Sequence, residues 1–149
     1  MTNRVWQLIP RVGIASGSVE ISFGQERAAL SRILADDFLP PAKTTFADED
    51  DFHSKDKSVF IRVRYSGTQV QDIEFLGGVL EYQGIQLHSD VTFSELEEKF
   101  GAKNLTFRPT EWLGDGQDCP ELNINVATHE DVGGDGDGIE WVILSQTFT

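Results

Sequence analysis

Residues 91–101 read Val-Thr-Phe-Ser-Glu-Leu-Glu-Glu-Lys-Phe-Gly, and this stretch decides the fold. Thr92 followed by Glu95 is a capping box, in which a hydroxyl and a carboxylate satisfy N–H groups that the first helical turn leaves unpaired. Val91 and Leu96 stand at the flanking positions of a hydrophobic staple. Phe93, Leu96 and Phe100 form an apolar stripe at helical spacing. Lys99 suits the C-terminal end of the helix dipole, and Gly101 suits a left-handed cap. The stretch is a helix, Thr92–Phe100.

Outward from it, Ile85–Leu87 reads as a strand before the helix, and Glu121–Ala127 and Ile139–Leu144 read as strands after it. The same order stands upstream. Val19–Phe23 alternates apolar and polar residues up to Gly24, and the helical run Gln25–Leu34 follows. Ala29, Leu30, Ile33 and Leu34 share one face of that run, with Glu26, Arg27 and Arg32 toward solvent. Ser58–Tyr65 and Gln69–Leu76 then pair through the hairpin signal Ser66-Gly67. Along Ser58–Tyr65, Val59, Ile61, Val63 and Tyr65 share one face, and Phe60, Arg62 and Arg64 share the other. The expected fold is α+β: tandem strand–helix–strand–strand repeats with mainly antiparallel sheet, residues 1–78 and 79–149, in a single compact domain. Val5–Ile9 is an opening strand, and Gly13 and Gly17 mark a turn region.

The chain has 149 residues, 39% hydrophobic and 25% charged, the composition of a folded globule. No apolar run approaches the ~20 residues that span a bilayer. The first residues lack the basic-then-apolar layout of a secretory signal, and the lone Cys119 forms no internal disulfide, so a cytoplasmic location is expected. The net charge is −13, and it deepens along the chain. Residues 101–149 carry 2 basic and 9 acidic side chains, against 5 and 7 in residues 1–50. Such a balance disfavours nucleic acid and anionic membranes, and it steers basic proteins toward the chain. Solubility is the bland account of the same charge.

His53, His88 and His129 lack the close spacing of zinc ligands, and Cys119 has no base near it in sequence. The Asp131-Val-Gly-Gly-Asp135-Gly-Asp137-Gly stretch resembles a calcium loop in composition, but it has no closing Glu and reads as a hairpin tip. Asp48-Glu49-Asp50-Asp51 reads as part of an exposed polar loop, Ala42–Lys57, because four consecutive acids repel one another. There is no phosphate-binding loop and no Gly-x-Ser-x-Gly elbow. No catalytic residue, metal ligand or cofactor is assigned.

Trp6-Gln-Leu-Ile-Pro, Gly13-Ile, and Val19-Glu-Ile-Ser-Phe-Gly24 leading into a helix resemble a pattern of small bacterial proteins. In tandem the layout is similar to the beta-lactamase-inhibitory-protein-like fold, seen singly in outer-membrane assembly lipoproteins. The resemblance implies two helices packed on one face of a sheet, with the other face free to bind protein. Small acidic proteins of this kind resemble immunity proteins that neutralise a cognate toxin. The expectation is a non-enzymatic protein-binding module, an immunity protein that inhibits a bacterial toxin through an acidic surface, as a monomer or homodimer. Its expected contact residues are Asp48, Glu49, Asp50, Asp51, Trp112, Asp131, Asp135 and Asp137, although Trp112 also suits a partly buried loop anchor. The alternatives are an assembly module that self-associates or joins a host complex, and a small hydrolase that would need two perturbed acids in a deep pocket.

Overall fold

Alternating side chains build two sheets in the computed structural model of this chain, which describes residues 4–148. The smaller sheet contains β1 (Val5–Ile9), β2 (Gly13–Ser16), β3 (Val19–Ser22), β8 (Val79–Tyr82) and β9 (Ile85–His88), in the order β3-β2-β1-β8-β9. The larger contains β4 (Ala42–Lys43), β5 (Glu49–His53), β6 (Phe60–Ser66), β7 (Gln69–Gly77), β10 (Arg108–Pro109), β11 (Gln117–Cys119), β12 (Ile124–Thr128) and β13 (Ile139–Ser145). Its order is β10-β11-β12-β13-β7-β6-β5-β4. All pairings are antiparallel except that of β1 with β8, where Trp6 faces Leu80. Both sheets draw strands from both halves of the chain. β7 and β13 join at the middle of the larger sheet, with Ile73 opposite Leu144.

Two helices, α1 (Arg27–Leu34) and α2 (Phe93–Gly101), complete the α+β fold. Their buried residues, Leu30, Leu34, Leu96 and Phe100, join one core with Trp6, Ile14 and Ile21 of the smaller sheet. The inward side chains of the larger sheet, including Phe52, Ile61, Val63, Phe75, Val126 and Val142, close that core. Arg62, Arg64 and Glu74, which alternate with those residues, point to the opposite face. No helix among the described residues is long and apolar enough to cross a membrane.

The local signals of α2 are realised with two differences. The Thr92 hydroxyl accepts from Glu95 N–H at 3.2 Å, but the Glu95 carboxylate accepts from that hydroxyl in turn. Gly101 is the last helical residue, Ala102 caps it in right-handed geometry, and the left-handed residue comes later at Asn104. Removing this cap with Thr92→Ala should lower stability by about 1 kcal/mol, read as a shift in the urea midpoint. An unchanged midpoint would mean that Asp137, which also reaches this helix end, carries the cap alone.

Other expectations are corrected. Gly13 opens a strand, because its missing Cβ lets β2 lie against β3. Ile33 is 43% exposed, leaving Leu30 and Leu34 as the buried residues of α1. The supposed loop 42–57 contains β4 and β5, since Glu49 and Asp51 face Arg64 and Arg62 in the neighbouring strand and Asp50 meets Arg27 of α1. β10 and β11 lie between α2 and the strand expected at Glu121–Ala127, which runs Ile124–Thr128.

Candidate functional site: a cleft on the outer face of the larger sheet

Three strands supply an alternating charge ladder. Across β5, β6 and β7, Glu49 lies opposite Arg64 and Arg64 opposite Asp72; one step along, Asp51 lies opposite Arg62 and Arg62 opposite Glu74. Cross-strand neighbours on one face interact most directly, and these pairs are of opposite sign. Arg62 donates to both oxygens of Asp51, at 2.7 and 3.1 Å, and more loosely to Glu74 at 3.4 Å. Arg64 donates to Glu49 at 2.8 Å. Hydrogen bonding to Asp51 is the main cause that raises the Arg62 pKa, and hydrogen bonding to Glu49 does the same for Arg64. Both stay protonated. Glu74 differs: burial pushes its carboxyl pKa up, and Arg62 offsets only part of that cost.

The ladder floors one side of a cleft of about 310 Å³. The other side is aromatic. Trp112 stacks on Phe148 with ring centroids 4.5 Å apart and planes 12° from parallel. Leu113 and Ile143 extend the apolar wall.

A buried polar knot holds the Trp112 loop in place. Asp118, fully buried, accepts from the Thr110 hydroxyl at 2.8 Å, Glu111 N–H at 2.7 Å and the Asn125 amide at 3.0 Å. Asn125 also donates to the Asp115 carbonyl and accepts from the Trp141 indole at 2.8 Å. Gly116, at φ +94°, passes where a Cβ would stand 2.7 Å from the Val126 carbonyl oxygen. Polar groups replace helix packing under this loop, and each has a partner.

The structure divides the expected contact residues. Glu49 and Trp112 both line the cleft, and Asp51 supports its floor through Arg62. Asp48 is exposed, and its carbonyl accepts from Tyr65 N–H. Asp50 faces inward. Its carboxylate takes two hydrogen bonds from Arg27, at 2.7 and 3.0 Å, and one from the Tyr65 hydroxyl at 2.9 Å. The exposed four-acid loop is therefore replaced by a strand edge on which alternate acids serve opposite faces.

Asp131, Asp135 and Asp137 do not reach the cleft. They lie in the β12–β13 connection, which includes the 3₁₀ turn Glu130–Val132. Asp131 and Thr128 close that turn reciprocally, at 2.9 and 3.2 Å. Asp137 accepts from the backbone and hydroxyl of Ser94 at 3.1 and 2.8 Å, tying the hairpin to the start of α2. Asp135, by contrast, is exposed and takes no part in these hydrogen bonds.

The remaining reactive side chains are held structurally. His53 stacks on Phe60, His88 lies buried between the carbonyls of Gly78 and Glu140, and His129 bonds Glu140 at 2.7 Å. Burial pushes the Cys119 thiol up to about 11, away from the thiolate that a nucleophile needs. Among the described residues no group of three or more His, Cys, Asp or Glu side chains is placed to hold a metal ion.

Arg62, Arg64, Asp72, Glu74 and Phe148 are cleft residues that the site expectations omitted. The alternation of Ser58–Tyr65 already placed the two arginines on one face; the partner strands were the missing information. Comparison with protein-family models, with curated proteins and with solved structures gives no match.

Proposed function

We propose that this chain is a non-enzymatic protein-binding module, an immunity-type protein that inhibits a cognate bacterial toxin through its acidic surface. The observation that carries the reading is the cleft: an aromatic wall, Trp112 on Phe148, set against a floor in which Glu49, Asp72 and Glu74 outnumber Arg62 and Arg64. Aromatic anchors beside charge are what interface hot spots use, and a net charge of −13 brings a basic partner to them. The cytoplasm, where a producing cell meets its own toxin, is the proposed location.

The tandem reading belongs to the same proposal. Ile14, Ile21, Leu30 and Leu34 are buried in the first half, and Leu80, Leu87, Leu96 and Phe100 are buried at identical spacing in the second. The isolated bridge of Glu26 to Gln69 is matched by that of Thr92 to Gly138. These agreements support two copies of a hairpin–helix–strands unit, and with it the likeness to the tandem inhibitory-protein fold.

The test is association with a basic toxin domain encoded by the neighbouring gene. Its on-rate should fall roughly tenfold or more between ~0.05 and ~0.5 M salt. A flat salt profile, or no toxin-like neighbour, would remove the reading. A self-associating assembly module is the second reading, favoured by a separate groove of about 410 Å³ lined by Leu34, Phe38, Leu39, Pro40, Pro41 and Phe52. It requires a concentration-dependent dimer in sedimentation that salt leaves intact.

A further inference from the structure

We infer that the outer-face cleft is a receptor for one cationic side chain, an arginine or lysine of a basic protein partner, held between the Trp112–Phe148 wall and the Glu74–Asp72 floor. This rests on the protein-binding reading and names what that surface would grip.

The charges on the cleft floor are unequally paired. Each floor arginine is committed to an acid on the β5 side: Arg62 to Asp51 by two hydrogen bonds, Arg64 to Glu49 by one. The acids on the β7 side are left with weaker partners. Glu74 takes a hydrogen bond from Arg62 at 3.4 Å, and Asp72 takes the Ser145 hydroxyl and the Gln71 amide, with Arg64 acting on both acids only through longer-range attraction. The negative charge therefore concentrates beside Ile143, on the part of the floor nearest the aromatic wall. Glu74 is only 17% exposed, so its charge is focused into the cleft rather than dissipated in solvent.

A cation supplied from outside meets two demands. Its charge compensates Glu74 and Asp72, and its aliphatic stem packs beside the Trp112–Phe148 pair, whose indole already carries Arg108 5.9 Å over the ring. An anionic ligand meets neither, because the two guanidiniums already face carboxylates. A purely apolar ligand would bury Glu74 further without pairing it, which is costly.

The probe is the blocked tripeptide acetyl-Gly-Arg-Gly-amide, which carries one positive charge. Titrated into the ¹⁵N-labelled protein, it should shift the Trp112 indole resonance saturably, while the norleucine analogue leaves it unmoved. Glu74→Gln should weaken that binding about tenfold, the usual scale for losing one charged partner. Glu97→Gln with Glu98→Gln, on the exposed side of α2, removes more charge elsewhere and should change it less than twofold. Equal weakening in both variants, or no shift at the Trp112 indole, would overturn the assignment.

Glu74→Gln is expected to fold. Arg62 keeps Asp51, and an amide is cheaper to bury than a carboxylate. Because the folded pKa of Glu74 is raised, its ionisation lowers stability as pH climbs through that value from the ordinary carboxyl range. The variant should therefore be at least as stable as the parent at neutral pH, with the difference shrinking in acid. A toxin bound with steep salt dependence but indifferent to Glu74→Gln would leave the function standing and remove the cleft. Peptide capture without any salt-sensitive protein partner would keep the cleft and remove the function.

Discussion

Asp118→Ala is expected to lower stability by about 3 kcal/mol and to release the loop that carries Trp112. The carboxylate is fully buried and gathers three donors, from Thr110, Glu111 and Asn125. Alanine leaves those donors facing a small void, and each unsatisfied buried group costs on the order of 1–3 kcal/mol. Water entering beneath the loop recovers part of this, so the total stays near the cost of one broken buried network rather than three separate losses. Asp118→Asn should recover some stability, because an amide oxygen still accepts while its N–H₂ group meets another donor. Urea unfolding gives the loss, and the Trp112 indole resonance reports the loop. A change smaller than about 1 kcal/mol would show that the knot is ornamental to both fold and cleft.

The second large effect lies at Gly13. A Cβ there would stand 1.9 Å from the Ile21 carbonyl oxygen and 2.8 Å from Ser22 Cα, both backbone atoms of the paired strand. No rotamer relieves that contact, so Gly13→Ala must push β2 away from β3, at a cost of about 3 kcal/mol. Gly17, at the tip of the same hairpin, is the internal comparison. It has φ +61° and open space around it, so Gly17→Ala should cost only about 1 kcal/mol. Thermal or urea unfolding of the pair measures the difference. Equal effects at the two sites would refute the close-approach explanation.

How much of this was legible from sequence depends on how local each cause is. The second helix was readable almost residue by residue, since Thr92, Glu95 and Leu96 act within one turn of each other. The two faces of Ser58–Tyr65 were equally plain, because alternation is written in consecutive residues. Asp48–Asp51 misled because four adjacent acids repel only until partners are counted. Arg27, Arg62 and Arg64, which neutralise three of them, arrive from other elements. Gly13 misled in the same way: glycine signals either a turn or a close strand contact, and only the neighbour decides. The cleft was half visible. Trp112 was among the expected contact residues, but its stacking partner Phe148 lies at the far end of the chain, and no spacing rule connects them.

The position of β1 has a consequence for the order of assembly. Gln7 pairs with Ala15 on one side within a few residues, but on the other side it pairs with Glu81. During synthesis β1 therefore gains one neighbour at once and must wait, half its edge unsatisfied, for about half of this sequence to follow. Contacts of such sequence separation slow folding, because the loop must close before the pairing rewards it. The smaller sheet thus waits on its parallel seam, which joins the two halves of the chain as the β7–β13 pairing does in the larger sheet. Pulse-labelling hydrogen exchange should find the amides of Val79–Tyr82 protected after those of Gly13–Ser16.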